Sequence, residues 1–201
     1  ANIQNEKQCG QTLVEIRPNI FNNTWLLADR IHKPLRVADI NSKNATLYVR
    51  NFENAPIEEI PFNQWRFAKE TNNGIISSDQ HIYLEGGFDV GKQYYAVYST
   101  KDAPVVGSGL LAVRDTASAL RYDRELFNTE IGPYDHVFGY GTSQTGRMLR
   151  HFLYLGLNVD ENNRKVFDGL LPHVAGARRG AFNHRFAQPS NQSYPSFGHL
   201  F

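Results

Sequence analysis

Hydrophobic and polar positions alternate along the first half of the chain, as they do in strands that are buried on one side. The alternating apolar positions are Val14 and Ile16, Leu47 and Val49, and Ile82 and Leu84. This two-residue period predicts half-buried strands, and turn-forming residues such as Asn72-Asn73-Gly74 separate them. The large side chains Trp25, Trp65 and Phe67 are predicted to anchor the layer. We therefore expect a β-rich N-terminal region over residues 1–90.

After residue 90, strand-like and helix-like segments alternate. Short apolar segments predict strands over residues 93–100, 136–141 and 169–176. Apolar residues at helical spacing predict helices over residues 110–122 and 147–155, the second ended by Gly156. Alternating strands and helices are typical of an α/β fold, a mostly parallel sheet with flanking helices. We predict this fold for residues 91–201.

Composition and charge exclude several classes of protein. Of the 201 residues, 41% are hydrophobic and 20% are charged, as in folded globular proteins, and the net charge is +1. We therefore expect no nucleic-acid partner, and without an apolar run of about eighteen residues we expect no transmembrane segment. Neither metal-ligand spacing nor a phosphate-binding glycine loop is present, so we expect no metal and no cofactor. The oligomeric state is left open.

One motif indicates chemistry, the run Gly141-Thr142-Ser143-Gln144-Thr145-Gly146-Arg147 between a predicted strand and a predicted helix. A serine at such a turn is typical of the nucleophile elbow of α/β-hydrolases, here predicted over residues 139–147. Ser143 would be the nucleophile, and the backbone N–H of Gln144 would help bind the oxyanion. The alternative interpretation is that Ser143 only caps the helix.

Three stretches of the chain are distinctive: Val113-Arg114-Asp115, the run from Gly141 to Tyr154, and the run from Phe167 to Pro189. Together they resemble a family of bacterial α/β-hydrolase-domain proteins. The resemblance implies a serine hydrolase that cleaves small-molecule carboxylic esters through an acyl-enzyme on Ser143. It leaves open a cytoplasmic, periplasmic or secreted location. The alternative function is a hydrolase-like module for binding or structure, or a fragment that lacks activity on its own.

The partners of Ser143 are harder to assign. In this fold the acid and then the histidine follow the serine along the chain. Acid candidates are Asp160, Glu161 and Asp168, and base candidates are His173, His184 and His199. Asp168 and His173 are weak candidates, because further strands normally precede the acid and the histidine. We therefore expect that the domain is incomplete and that both groups lie beyond Phe201.

Two further features are open at this point. Gly86-Gly87-Phe88 and the loop from Lys101 to Pro104 are candidates for the second oxyanion donor, although the glycine pair is better explained as a turn. Arg178 and Arg179 could bind an anionic group of the substrate, or could pair with acidic neighbours.

Overall fold

The computed structural model describes residues 7–28, 32–104, 108–125, 133–176 and 186. The strands are β1 (Lys7–Ile16), β2 (Asn22–Leu26), β3 (Thr46–Arg50), β4 (Glu58–Ile60), β5 (Trp65–Arg66), β6 (Ala68–Thr71), β7 (Gly74–Ser77), β8 (His81–Phe88), β9 (Gln93–Pro104), β10 (Phe138–Thr142) and β11 (Gly169–His173). The α-helices are α1 (Gly109–Tyr122) and α2 (Gln144–Tyr154), and a short 3₁₀ helix covers Phe62–Gln64. Described residues up to 104, together with Phe186, form a first compact unit, and residues 108–176 form a second.

The first unit consists of antiparallel sheets. One sheet has the strand order β1-β9-β3-β4, another has the order β2-β8-β5, and β6 pairs with β7 as a hairpin. Every pairing in these sheets is antiparallel. The predicted β-rich character of this region is therefore confirmed by the strands that the structure contains.

The core of the first unit lies between the two larger sheets. It contains Val14, Leu47, Ile82 and other residues at the alternating apolar positions, all in one buried cluster. Aromatic rings meet edge to face within it, with Phe88 and Tyr94 at a centroid distance of 4.8 Å. Trp65 and Phe67 are buried here as predicted, while Trp25 is partly buried and packs against the cluster.

The predicted mostly parallel sheet with flanking helices is wrong for the described residues. That prediction counted residues 93–100 among the strands of a mostly parallel sheet, whereas β9 pairs antiparallel with both β1 and β3. Tyr94, Ala96 and Tyr98 of β9 are buried, but the side chains between them are less so. One of these is Tyr95, whose ring lies under the guanidinium of Arg50. An aromatic residue at this outward-facing position made the strand look buried on both faces in the sequence.

The second unit contains the one parallel pair among the described strands. In it β10 lies beside β11, with Phe138 opposite Gly169 and Thr142 opposite His173. Helix α2 connects the two strands in the chain and packs against both. The predicted helices are confirmed, although α2 begins three residues earlier than predicted, and Gly156 follows it with φ 71°.

A small buried cluster supports this parallel pair. It contains Leu110 and Ala117 of α1, Phe152 of α2, and Val166 and Phe167 ahead of β11. Neither α1 nor α2, the helices of the described ranges longer than one turn, has the length and apolar content to cross a bilayer. The domain boundary predicted after residue 90 stays a prediction, and β9, which follows it, belongs to the first unit.

Candidate active site

The backbone at Ser143 has an unusual conformation. Strand β10 ends at Thr142 and helix α2 begins at Gln144, so Ser143 makes the whole change of direction by itself. Its dihedral angles are φ 54° and ψ −115°. A positive φ is uncommon for any residue other than glycine and costs about 1–3 kcal/mol. Such strain persists only where the surrounding structure enforces it.

Two glycines make this turn possible. A Cβ atom on Gly141 would lie 2.7 Å from the backbone of Thr145, and one on Gly146 would lie 2.8 Å from the carbonyl oxygen of Gly141. Both contacts are shorter than carbon atoms tolerate, and backbone atoms cannot move aside as side chains can. The small residues that the motif places before and after Ser143 are therefore required by direct steric contact.

Thr145 braces the same turn, a role that the sequence interpretation missed. The Thr142 N–H donates to Thr145 Oγ1 at 2.8 Å, and the Thr145 hydroxyl donates to the Thr142 carbonyl oxygen at 2.8 Å. Hydroxyl side chains near a helix N-terminus often form such local backbone bonds. This tendency was the sequence signal from which the role of Thr145 could have been found. It also explains why threonine suits a position where glycine is common in this motif.

The Ser143 side chain is exposed and makes no capping hydrogen bond to the helix. The interpretation of Ser143 as a simple helix cap is therefore not supported by its geometry. Its backbone N–H donates to the His173 carbonyl oxygen at 2.9 Å, and its carbonyl oxygen accepts from the backbone N–H of Arg147 at 2.9 Å. Gln144 is the first helical residue, so its N–H has no partner within the helix. An exposed hydroxyl thus stands next to the positive end of a helix.

His173 is the candidate base that lies beside this turn. It is the last residue of β11, opposite Thr142, and its side chain is exposed. Its ring stacks on Tyr140, with the centroids 6.5 Å apart. Within the described ranges no carboxylate contacts the His173 ring, so the structure places a histidine near Ser143 without an acid to orient it.

Asp168 lies at the opposite end of the same strand. It directly precedes β11, so five steps along extended chain separate it from His173, about 16 Å. Its carboxylate is bound by Lys165 at 2.9 Å, by the Val137 N–H at 3.0 Å and by Arg121 at 2.8 Å. These contacts, the Lys165 bond first, hold the pKa of the Asp168 carboxyl well below its usual range. The structure therefore does not bring Asp168 to Ser143 or to His173.

Asp160 is buried in the loop between α2 and β11. Its carboxylate accepts from Ser118 Oγ at 2.6 Å, from Arg164 Nε at 2.8 Å and from the Asn162 N–H at 2.9 Å. These bonds, that of Ser118 first, hold the pKa of the Asp160 carboxyl well below its usual range. Its neighbour Glu161 pairs with Arg114. Both acids therefore have structural partners on or near α1.

The other candidates belong to the first unit or lie outside the described residues. Gly86, Gly87 and residues 101–104 are parts of β8 and β9 in the first unit. Arg178, Arg179, His184 and His199 lie outside the described residues. Within the described ranges, no group of three or more His, Cys, Asp or Glu side chains could hold a metal ion.

Comparison with known proteins gives a family match for more than half of the chain. Residues 74–197 match a family described as an alpha/beta hydrolase domain. The chain belongs to this alpha/beta hydrolase domain family. The matched range covers more than half of the chain and includes Ser143, α2 and β11. Membership indicates a hydrolase. Searches of curated proteins and of solved structures gave no match.

Proposed function

We propose that the protein is a serine hydrolase that cleaves carboxylic esters, with Ser143 as the nucleophile and residues 139–147 as a nucleophile elbow. The observation that supports this most directly is the strained, exposed Ser143 between β10 and α2. A serine that only capped the helix would bond an amide of α2, and this one does not. Strain of this kind at an exposed hydroxyl is typical of a site that serves function at the expense of stability.

In the proposed reaction, Ser143 Oγ attacks the ester carbonyl carbon while a general base removes the hydroxyl proton. The carbonyl oxygen becomes an oxyanion, which the Gln144 N–H and the N-terminus of α2 stabilise. When the intermediate collapses, the carbon–oxygen bond to the alcohol breaks and the alcohol leaves with a proton. Water then attacks the acyl-enzyme by the same route and releases the carboxylic acid. Acyl transfer to an alcohol instead of water would use the same residues.

The proposed reaction needs a general base close to Ser143. His173 is the candidate favoured by position, because its backbone bonds Ser143 and its ring is exposed at the end of β11. An isolated histidine orients less well than one held by a carboxylate. Replacement of His173 by alanine should therefore abolish turnover if it is the base, and should leave turnover nearly unchanged if another histidine serves.

The experiment that tests the nucleophile is labelling with a fluorophosphonate probe, followed by peptide mapping. The probe should modify Ser143 with loss of fluoride, and Ser143→Ala should lose both this labelling and hydrolysis of p-nitrophenyl acetate. Ser99→Ala is the matched control, since Ser99 is an exposed serine on β9. Labelling that persists in a folded Ser143→Ala variant would reject the proposal.

A second candidate function is a non-catalytic module that keeps the hydrolase scaffold for binding. The observation that favours it is the absence, within the described ranges, of a carboxylate that contacts the His173 ring. This candidate predicts that the folded wild-type chain resists the fluorophosphonate and does not hydrolyse the ester. The labelling experiment therefore separates the two functions.

A further inference from the structure

Two ring side chains lie on one face of the parallel pair, next to Ser143. Tyr140 is two residues before Thr142 on β10, and Thr142 lies opposite His173 on β11. Alternate residues of a strand point to the same face, so Tyr140, Thr142 and His173 share one face. The rings of Tyr140 and His173 are nearly parallel, with an interplanar angle of 22° and centroids 6.5 Å apart.

Hydrogen bonds fix the position of this ring pair relative to Ser143. Thr142 Oγ1 donates to the Tyr140 hydroxyl at 2.8 Å, so the Tyr140 ring extends along β10 towards the residue that precedes Ser143. The carbonyl oxygen of His173 accepts from the Ser143 N–H at 2.9 Å. His173 is therefore hydrogen-bonded directly to Ser143. Tyr140 is hydrogen-bonded to Thr142, the residue that precedes Ser143.

This ring pair is exposed to solvent and is not part of a buried core. Tyr140 is 69% exposed, and His173 is also exposed. The opposite face of the pair is the one that packs against the small core, through Leu170. The carboxyl ends of parallel strands are where α/β sheets bind their ligands. Exposed planar surface at this edge is suited to contact with a bound molecule.

We propose that Tyr140 and His173 form a subsite for a planar, uncharged group of the substrate, an aromatic ring in the acyl or the alcohol part of the ester. The inference rests on the proposed function of Ser143. The nearly parallel rings present flat surfaces in one orientation, against which a third ring packs well. The surface that two flat ring faces offer is chiefly apolar, which favours an uncharged group. The Tyr140 hydroxyl accepts from Thr142, so its own proton is available to a polar substituent of that group.

The test compares two fluorophosphonate probes that differ only in one substituent on phosphorus, benzyl in one and ethyl in the other. The measured quantity is the ratio of their second-order rates of Ser143 labelling, since a general effect on folding or on the nucleophile cancels in this ratio. Wild type should prefer the benzyl probe. Tyr140→Ser should lower the preference about two- to tenfold, the range expected for loss of one aromatic contact.

Two variants serve as controls. Tyr140→Phe keeps the ring and should keep the preference. Phe138→Ser removes an exposed ring, 65% exposed, from the same face of β10 two residues further from Ser143, and should also keep it. An unchanged ratio in Tyr140→Ser, or an equal loss in Phe138→Ser, would overturn the subsite while leaving the nucleophile in place. Failure of both probes to label wild-type Ser143 would overturn the proposed function, and the subsite with it.

Discussion

The two units of the protein cover the aromatic side chains of their strands to different degrees. In the first unit Phe88 of β8 and Tyr94 and Tyr98 of β9 are buried, and a buried cluster of fourteen residues joins the two larger sheets. In the second unit the cluster has five buried residues, while Phe138 and Tyr140 of β10 stay largely exposed. The strained, exposed Ser143 lies on this second unit. The proposed chemistry thus belongs to the unit with the smaller core and the less covered sheet.

The largest expected effect comes from the same change made in both cores. Phe88 and Phe152 are each 0% exposed, so replacing either by alanine should leave a cavity and lower the free energy of unfolding by about 3–5 kcal/mol. Amide hydrogen exchange, resolved by peptide, should show the loss of protection mainly in the unit that contains the changed residue. Equal loss of protection in both units from either variant would contradict the comparison.

Gly146→Ala should have the next largest effect, and its sign is informative. Glycine to alanine inside a helix normally stabilises by about 0.5–1 kcal/mol. Here the new Cβ would meet the Gly141 carbonyl oxygen at 2.8 Å and that of His173 at 2.9 Å. We therefore expect the free energy of unfolding to fall by about 1–3 kcal/mol and the labelling of Ser143 to become slower. Chemical denaturation measures the free energy of unfolding. A stabilised variant would show that the turn at Ser143 has room for a side chain at position 146.

The two units should also respond to acid at different pH values. In the first unit, burial, aided by Lys69, lowers the pKa of His81. Since the unfolded state then binds the proton more readily, the stability from neutral His81 is present above about pH 6.5 and is lost as pH falls. In the second unit the lowered pKa values of Asp160 and Asp168 give stability that is present above about pH 4 and is lost below it.

Peptide-resolved hydrogen exchange across this pH range should show the first unit weakening before the second. His81→Gln should remove the change at the higher pH, because no imidazole remains to be protonated.

Asp160→Asn should lower stability at neutral pH, and its difference in stability from wild type should shrink as the pH falls below about 4. A constant difference at all pH values would mean that the Asp160 charge contributes nothing to folding.

The smallest expected effect concerns the brace at Thr145. Thr145→Val keeps the shape of the side chain but removes both hydrogen bonds to Thr142. The free energy of unfolding should therefore fall by about 1 kcal/mol. Water can partly replace these bonds, because both threonines are exposed. Thr145→Ser should behave like wild type. Thermal unfolding measures the difference, and similar behaviour of the valine and serine variants would show that the hydroxyl does not brace the turn.

The parts of the site that could be predicted from sequence are those set by local geometry. The turn at Ser143 needs small residues at fixed offsets, and those offsets are visible as Gly141 and Gly146. Helices α1 and α2 follow from the 3.6-residue period of their apolar positions. The roles of Asp160 and Asp168 could not be predicted, since each depends on residues of α1 that are more than forty positions away in the chain.

The sequence by itself determined where the strained serine lies, which segments are helical and which half of the chain is β-rich. Only the tertiary structure decided that β9 joins an antiparallel sheet, that Asp168 lies far from His173 and that Asp160 is buried against Ser118. The physical reason is the range of the interactions. Backbone sterics and side-chain periodicity act within a few residues, whereas strand partners and ion pairs are chosen among distant segments by how their surfaces pack.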